Sequence, residues 1–487
     1  MKKYKAGTML IAIILLGFFL RIFFFTGMGS SDDLTYSDVA HSIADGAYQI
    51  KPDHPSLRWG LVFPTALVYR YFGANDITAT LFVLIASMGS IFVAFYIGKL
   101  LFNDKVGLAA AFLMAIFPFE VVNSTRLYSE NPMSFFAGLC MLFFFFGQAK
   151  NRKINYLMSG FFLGIAYLVR ESVLILLLPI AIYAMYKKNF KSLHFFLMGL
   201  LLIMAAESLA YFFINGNPFF RFHAITSSYG NVMAVFNYYG NTTILQRLFL
   251  VFPYMLLRDV NFGFFYAFGF MALLYLIIYR EKESYNVLIW FVPLFLYIYL
   301  GTMSIKTYLP FIPSPRFLSL LTLPLVVMLA VFICDNDKAI KKAIAPSLLI
   351  LLFVSSIGLA LINSDRFQTK NARLAYEFVK AQNNPVYSDE RTTRIFEFLS
   401  GYKSSNFLPF HKYDYLNPYS PSKNVFVLNL KKLNSSYVVL NNNMLRVLPT
   451  IYHDMEFPEE AHDIPKNWKL VKEFGKNEDK ISVYFTG

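Results

Sequence analysis

Charge is scarce in this chain. Asp, Glu, Lys and Arg make up 15% of its 487 residues, against about 25% in soluble proteins. That scarcity excludes a disordered protein and an ordinary cytosolic enzyme. Cysteine is scarcer still: Cys140 and Cys334 are the whole complement, too few for a disulfide framework, and both lie in apolar runs where a thiol packs as a small hydrophobe. Internal repeats and low-complexity tracts are also missing. The net charge of +14 is not gathered on one basic face, so nucleic acid is not expected as a partner. What is abundant is apolar surface: 56% of residues are hydrophobic, with 54 Phe and 32 Tyr. This is the composition of a polytopic membrane protein.

A spanning helix needs about 20 mostly apolar residues. Runs of that kind fall near residues 7–28, 77–101, 106–120, 132–149, 154–169, 171–186, 192–213, 262–279, 285–300, 317–334 and 343–362, which predicts about 11 transmembrane helices. The first run is longer than a signal-peptide core and no small-residue cleavage site follows it, so it reads as a helix. Short basic clusters recur at every second connection: Lys2, Lys3 and Lys5; Lys105; Lys150, Arg152 and Lys153; Lys187, Lys188 and Lys191; Arg280 and Lys282; Lys338, Lys341 and Lys342. The positive-inside rule then makes the N-terminus cytoplasmic and places the C-terminus outside. The opposite face carries long connections, 29–76, 214–261 and 301–316, with single bases. The working surface is expected there, on the outside of a plasma (inner) membrane.

After residue 362 the composition becomes that of a soluble domain. Helix-like stretches near 370–381 and 392–400 alternate with strand-like 385–388, 424–428, 437–440 and 481–485, separated by Asn/Pro/Ser turns. The expected organisation is a transmembrane domain over 1–362, with outer loop 29–76, and a small extracytoplasmic α/β domain over 363–487.

Charged residues beside span ends are expensive and usually functional. Asp32 and Asp33 follow the first span in Ser30-Ser31-Asp32-Asp33. Adjacent carboxylates at the interface can bind a metal or deprotonate a hydroxyl, and the same residues suit a helix N-cap before the amphipathic run 36–47. Asp53-His54-Pro55-Ser56-Leu57 closes the loop and also fits a surface turn. Arg126 and Glu130 are four apart and would pair on a helix. Arg170-Glu171 splits an apolar run, either as a tight turn between spans or as a charged pair near a cavity. Arg21 and Glu207 occupy outer span halves, where they could neutralise each other or snorkel. Lys306 and Arg316 lie in a proline-rich segment among aromatics, suited to a lipid-linked phosphate or to interface anchoring.

Taken in order, these elements resemble one family. Asp32-Asp33-Leu34-Thr35-Tyr36, Ala40, Gly46, Asp53-His54-Pro55-Ser56-Leu57, Gly73, Pro118, Arg126 with Glu130, Gly160 to Gly164 with Arg170, Asn215 to Pro218 and Pro315-Arg316-Phe317 follow the landmarks of the GT-C membrane glycosyltransferases. The chain is similar to the dolichyl-phosphate-mannose protein mannosyltransferases and lipid A aminoarabinose transferases over residues 1–330. It departs from them at Asp33, where Glu is commoner, and at His54, where Lys is commoner.

The resemblance implies a GT-C-like fold and an inverting glycosyltransferase. Its donor would be a sugar on polyprenyl phosphate, and its acceptor a hydroxyl of a lipid, glycan or protein. It implies Asp32 as base and Asp33 as its partner. Tyr36, Asp53, Arg126 and Glu130 would contact substrate, and Arg170, Lys306, Arg316 and His54 the phosphate. No cofactor is implied, although the carboxylates could hold a divalent cation. A polymerase or ligase using diphosphate-linked oligosaccharide would look similar with more arginines. A secondary transporter would favour inverted repeats and midplane charges. A membrane anchor for the tail would need no acids in its outer loops.

Overall fold

The computed structural model describes residues 2–230, 244–279, 284–302, 314–334, 339–366, 369–413, 424–451 and 455–487. Apolar runs become helices because a backbone in lipid must satisfy its own hydrogen bonds. Among the described residues, six helices are long and apolar enough to cross a membrane: Ala6–Phe23, Asp76–Leu101, Glu130–Lys150, Leu193–Asn215, Pro315–Cys334 and Ala345–Ser364. Shorter apolar helices accompany them at Lys153–Val169, Glu171–Tyr186, Leu248–Arg258, Phe265–Ile278 and Ser284–Leu300.

The first half of the chain runs α1 (Lys2–Phe23), α2 (Asp32–Ala44), α3 (His54–Leu57), α4 (Trp59–Phe72), α5 (Asp76–Leu101), α6 (Asp104–Ile116), α7 (Pro118–Asn123), α8 (Glu130–Lys150), α9 (Lys153–Val169), α10 (Leu177–Tyr186), α11 (Phe190–Asn215) and α12 (Phe220–Gly230). Loop 29–76 is therefore largely helical.

Two expected spans differ in detail. The run over 106–120 is broken: α6 ends at Ile116, Phe117 is extended (φ −61°, ψ 120°), and α7 restarts at Pro118. A proline disfavours helix for the residue before it. The run from 171 opens as a 3-10 turn, Glu171–Leu176, after extended Arg170 (φ −162°). Arg170-Glu171 is thus a tight turn between helices.

Helix Thr322–Cys334 is the bundle's axis, buried along nearly its whole length and packed by α5, α6 and helices Phe265–Tyr279 and Ser284–Leu300. α9 and α11 approach closely. A Cβ on Gly160 would lie 1.8 Å from the Phe196 carbonyl oxygen, and one on Gly199 2.1 Å from that of Leu157. Small residues let helices meet this way in lipid.

Beyond helix Ala339–Arg366, five strands form a mixed sheet in the order β2-β1-β5-β7-β6: β1 Val386–Ser388, β2 Phe407–Pro409, β5 Ser436–Asn441, β6 Trp468–Phe474 and β7 Ile481–Thr486. β1 pairs in parallel with β2 and β5, and β7 runs antiparallel to β5 and β6. β3 (His411–Tyr413) and β4 (Asn424–Val427) form a separate antiparallel pair. Ala372, Ala375 and Val379 bury one stripe of helix Lys370–Val379, the spacing of an amphipathic helix. Helix Glu390–Leu399 packs on β2 and also reaches back to α2.

Candidate active site

The site begins with the way Asp33 shapes its loop. α2 starts at Asp32, and Ser31 at the cap position makes no side-chain cap bond. Instead the buried Asp33 carboxylate turns back and accepts the N–H groups of Gly29 and of Ser31 (2.9 Å). This fixes residues 29–31 and leaves the Asp32 side chain 48% exposed, facing an arginine. Tyr36, one turn later and buried, lies beneath the Arg58 guanidinium, 5.2 Å from its ring centre.

Four side chains from four elements form a row. Arg316 Nη1 donates to Asp32 Oδ2 at 2.7 Å, and its Nε donates to Glu130 Oε1, also at 2.7 Å. Glu130, fully buried at the start of α8, also accepts Arg170 Nη1. Buried Arg58 donates from Nη1 to Ser129 Oγ (3.1 Å), whose hydroxyl in turn points at Glu130 Oε2 (3.5 Å). Its Nε has no partner among the described residues. Aromatic faces back the cations, Tyr128 under Arg316 and Phe317 under Arg170. Arg170 and Arg316 thus share the Glu130 carboxylate, and Arg58 lies within electrostatic reach of Glu171, Glu130 and Asp32. Beside this row lies a narrow cleft lined by Arg170, Arg316, Met133, Ser172, Ile175, Ile298, Phe317 and Leu320. Apart from the two arginines and Ser172, its lining is apolar.

A second cluster adjoins the first. Glu171 Oε1 lies 3.8 Å from His54 Nδ1, and its Oε2 is 3.4 Å from Arg221 Nη2. Arg221 also binds Glu207 at 2.7 Å and the Tyr167 carbonyl at 2.8 Å. Asp53 caps α3 by accepting the Ser56 N–H at 2.8 Å. Lys306 lies outside the described residues.

Two pairings differ from expectation. Arg126 precedes α8 and does not meet Glu130; it donates to Thr26 Oγ1 (3.2 Å) and Asn123 Oδ1 (3.4 Å). Arg21 and Glu207 do not meet either. Arg21 binds Ser87 Oγ and the Gly17 and Ala115 carbonyls, while Glu207 takes Arg221. Arg58, Tyr128 and Arg221 are part of the site's electrostatics without having been candidates from the sequence, and Glu171 stood out only as half of the Arg170-Glu171 pair. Their partners are distant in sequence, 71 residues away for Arg58, so no local motif exposes them.

The adjacent aspartates are pushed apart. Desolvation would raise the Asp32 carboxyl, but the Arg316 guanidinium, with Arg58 beyond it, holds it below the usual carboxylate range. Burial pushes Asp33 above that range, against the pull of the Ser31, Gly29 and Leu34 N–H groups, and the Asp32 charge pushes the same way. As pH falls, Asp33 is therefore protonated first, and its grip on residues 29–31 weakens. The sign of the linkage follows. A folded pKa above the unfolded one gives stability that is complete below about pH 3.9 and lost as pH rises through the raised value. Asp33→Asn keeps one acceptor oxygen but sets an NH2 against the other N–H, so it is expected to melt at or below wild type at neutral pH, the lost bond opposing the relief of a buried charge. It should turn over about tenfold more slowly, with the acid limb of the rate profile gone. A slower variant that kept the wild-type acid limb would detach that limb from Asp33.

The chain thus combines helices long and apolar enough to cross a membrane, a largely helical connecting loop that opens on the carboxylate–arginine row, and an appended sheet. Residues 53–211 match the family model described as dolichyl-phosphate-mannose-protein mannosyltransferase; the segment includes Arg58, Glu130, Arg170 and Glu171. The fold is similar to that of ArnT from Cupriavidus metallidurans in the apo state, with a TM-score of 0.62 at 13% identity, covering 99% of this chain and 98% of that one. The ArnT structure bound to undecaprenyl phosphate gives 0.61 at 12%, covering 98% and 97%. The Archaeoglobus fulgidus oligosaccharyltransferase, in a complex with Zn and sulfate, gives 0.57 at 13% over 90% of this chain and 68% of that one. No curated protein sequence matches the chain. The family resemblance read from the sequence therefore stands on a matching segment and on the fold.

Proposed function

We propose that this chain is an inverting membrane glycosyltransferase that takes a sugar from a polyprenyl-phosphate donor and gives it to a hydroxyl of a lipid, glycan or protein. Residues 1–362 form its transmembrane domain with catalytic loop 29–76. Residues 363–487 form its extracytoplasmic domain, and the site faces outward from the inner membrane, as the distribution of basic clusters implies. The observation that carries the reading is the row Asp32, Arg316, Glu130 and Arg170 at the mouth of the apolar cleft. A half-exposed carboxylate stands beside paired guanidinia, and those guanidinia line a cleft whose other walls are mostly apolar, the pairing of charge and hydrocarbon that an isoprenoid phosphate presents.

In this reading the donor phosphate sits on Arg170 and Arg316, with Arg58 supplying further positive charge. Bidentate guanidinium is well matched to phosphate. Phosphate binding draws Arg316 away from Asp32 and frees its carboxylate. The acceptor oxygen attacks the anomeric carbon from the face opposite the phosphate, and the bond from that carbon to the phosphate oxygen breaks. The phosphate leaves with the electron pair, stabilised by the guanidinia, while Asp32 takes the hydroxyl proton. His54 and Glu171 border the acceptor side; Tyr36 and Arg126 back the loop. Before the donor binds, Asp32 and Glu130 each accept from Arg316, and Asp53 caps α3.

The test is donor choice. Purified protein in lipid nanodiscs should transfer sugar from a polyprenyl-phosphate donor, and Arg170→Ala should raise the donor KM. Transfer from a nucleotide sugar with no lipid carrier present would overturn the reading.

A further inference from the structure

α2 has two sides. Its first residue, Asp32, points to the cleft, while Thr35, Ser37, Asp38 and His41 face the C-terminal sheet region. There Arg394 donates from Nε to Asp38 Oδ2 (2.8 Å) and from Nη2 to Thr35 Oγ1 (3.1 Å), with Nη2 also 2.6 Å from Asp38 Oδ2. The Tyr402 hydroxyl lies 2.8 Å from both Asp38 Oδ1 and Ser37 Oγ, and Ser37 is 2.8 Å from Tyr69 of α4. The Tyr402 ring stacks on His41, centroids 4.1 Å apart. Its backbone sits at φ +59°, an uncommon state for a bulky residue, with its N–H bonded back to the Glu397 carbonyl at 2.7 Å.

A second grip closes on the other flank of Asp32. Arg373 places both terminal nitrogens on the Asp76 carboxylate at 2.7 Å and donates to the Met28 carbonyl at 3.2 Å. Asp76 accepts the Met28 N–H at 2.7 Å, and the Thr369 hydroxyl donates to the Met28 carbonyl at 3.2 Å. Met28 directly precedes the Gly29–Ser31 turn that Asp33 ties down. Among the described residues, Arg394 therefore pairs with one end of the segment bearing Asp32, and Arg373, paired with Asp76, reaches the other end through the Met28 carbonyl. An attachment that served only to hold the region to the membrane would need no such placement. Polar, part-buried contacts of this kind can also open and close.

We infer that the C-terminal region is a positioning clamp for the Asp32 loop, with Arg373, Arg394 and Tyr402 as positioning residues. The inference rests on the reading of Asp32 as base. Misplacing a reacting group by about 1 Å can cost about 100-fold in rate, so a clamp of this kind acts on turnover and leaves donor binding alone.

The experiment uses the full-length protein with Arg394→Ala, Arg394→Lys and Tyr402→Phe, read by steady-state kinetics and by hydrogen exchange over residues 29–44. Arg394→Ala should lower kcat about 10- to 100-fold with donor KM unchanged, and exchange over 29–36 should quicken. Arg394→Lys, which keeps the charge on Asp38 but cannot also reach Thr35 as a fork, should recover part of both. Tyr402→Phe removes one oxygen, so it decides the question even where Arg394→Ala folds poorly. Unchanged exchange in both Arg394→Ala and Tyr402→Phe, or faster exchange with wild-type kcat, would overturn the clamp. So would a raised KM at constant kcat. A wild-type protein that transfers no sugar from a polyprenyl-phosphate donor would defeat the functional reading, while the exchange data would still test whether the grips hold the loop.

Discussion

Asp32→Asn is expected to reduce turnover by about 10²–10⁴, the range for losing a general acid or base, with expression and melting temperature unchanged. The second half of that expectation follows from the geometry. The Asp32 side chain is 48% exposed, and ion pairs that water reaches contribute about 0–1 kcal/mol. Arg316 keeps its bond to buried Glu130 when Asp32 is neutralised, so no guanidinium is stranded. The loop itself is fixed by Asp33 through backbone N–H groups, and the substitution leaves those bonds untouched. Steady-state kinetics beside a thermal melt separate the outcomes. Full activity in both Asp32→Asn and Asp33→Asn would remove loop 29–76 from the chemistry. Full activity in the first with none in the second would shift the base by one residue.

The helices were legible wherever an apolar run was uninterrupted, since length and hydropathy carry that information. Runs 77–101, 132–149 and 192–213 become α5, α8 and α11 with ends moved by only a few residues. Where the run hid a proline, as at Phe117-Pro118, hydropathy alone joined two helices into one. In the C-terminal region, β1, β4, β5 and β7 stood out as β-branched or aromatic runs. β6, Trp468-Lys-Leu-Val-Lys-Glu-Phe474, did not, because the sheet edge it forms is largely exposed and its residues are correspondingly polar. For the site, the sequence supplied the charges but not their partners. Glu130 looks like a helix-surface mate of Arg126 from spacing alone. Its actual cations come from 40 and 186 residues away, and a single sequence holds no signal for such pairings. Arg58 was overlooked for a related reason: as a single base next to Trp59 within loop 29–76 it has the form of an interface anchor, and only the folded chain buries it.

That distant pairing makes Glu130 the residue whose loss should cost the fold most. It is fully buried and holds Arg170 and Arg316 directly, with Arg58 reached through Ser129. Glu130→Gln keeps the volume and removes the charge. Breaking a buried ion pair from one side costs about 3–5 kcal/mol, because the remaining charge is left in a poor solvent. Here buried Arg170 loses its carboxylate and half-buried Arg316 keeps only Asp32. A clearly lowered melting temperature is expected, with little transfer activity. The same reasoning gives a rescue. A phosphate bound between these guanidinia would replace the missing negative charge, and a ligand that binds only the folded state stabilises it by mass action. Undecaprenyl phosphate should therefore raise the melting temperature of Glu130→Gln more than that of wild type, whereas the neutral undecaprenol should raise neither. An equal shift for both proteins would mean that the lipid phosphate binds elsewhere than on the cations that Glu130 holds.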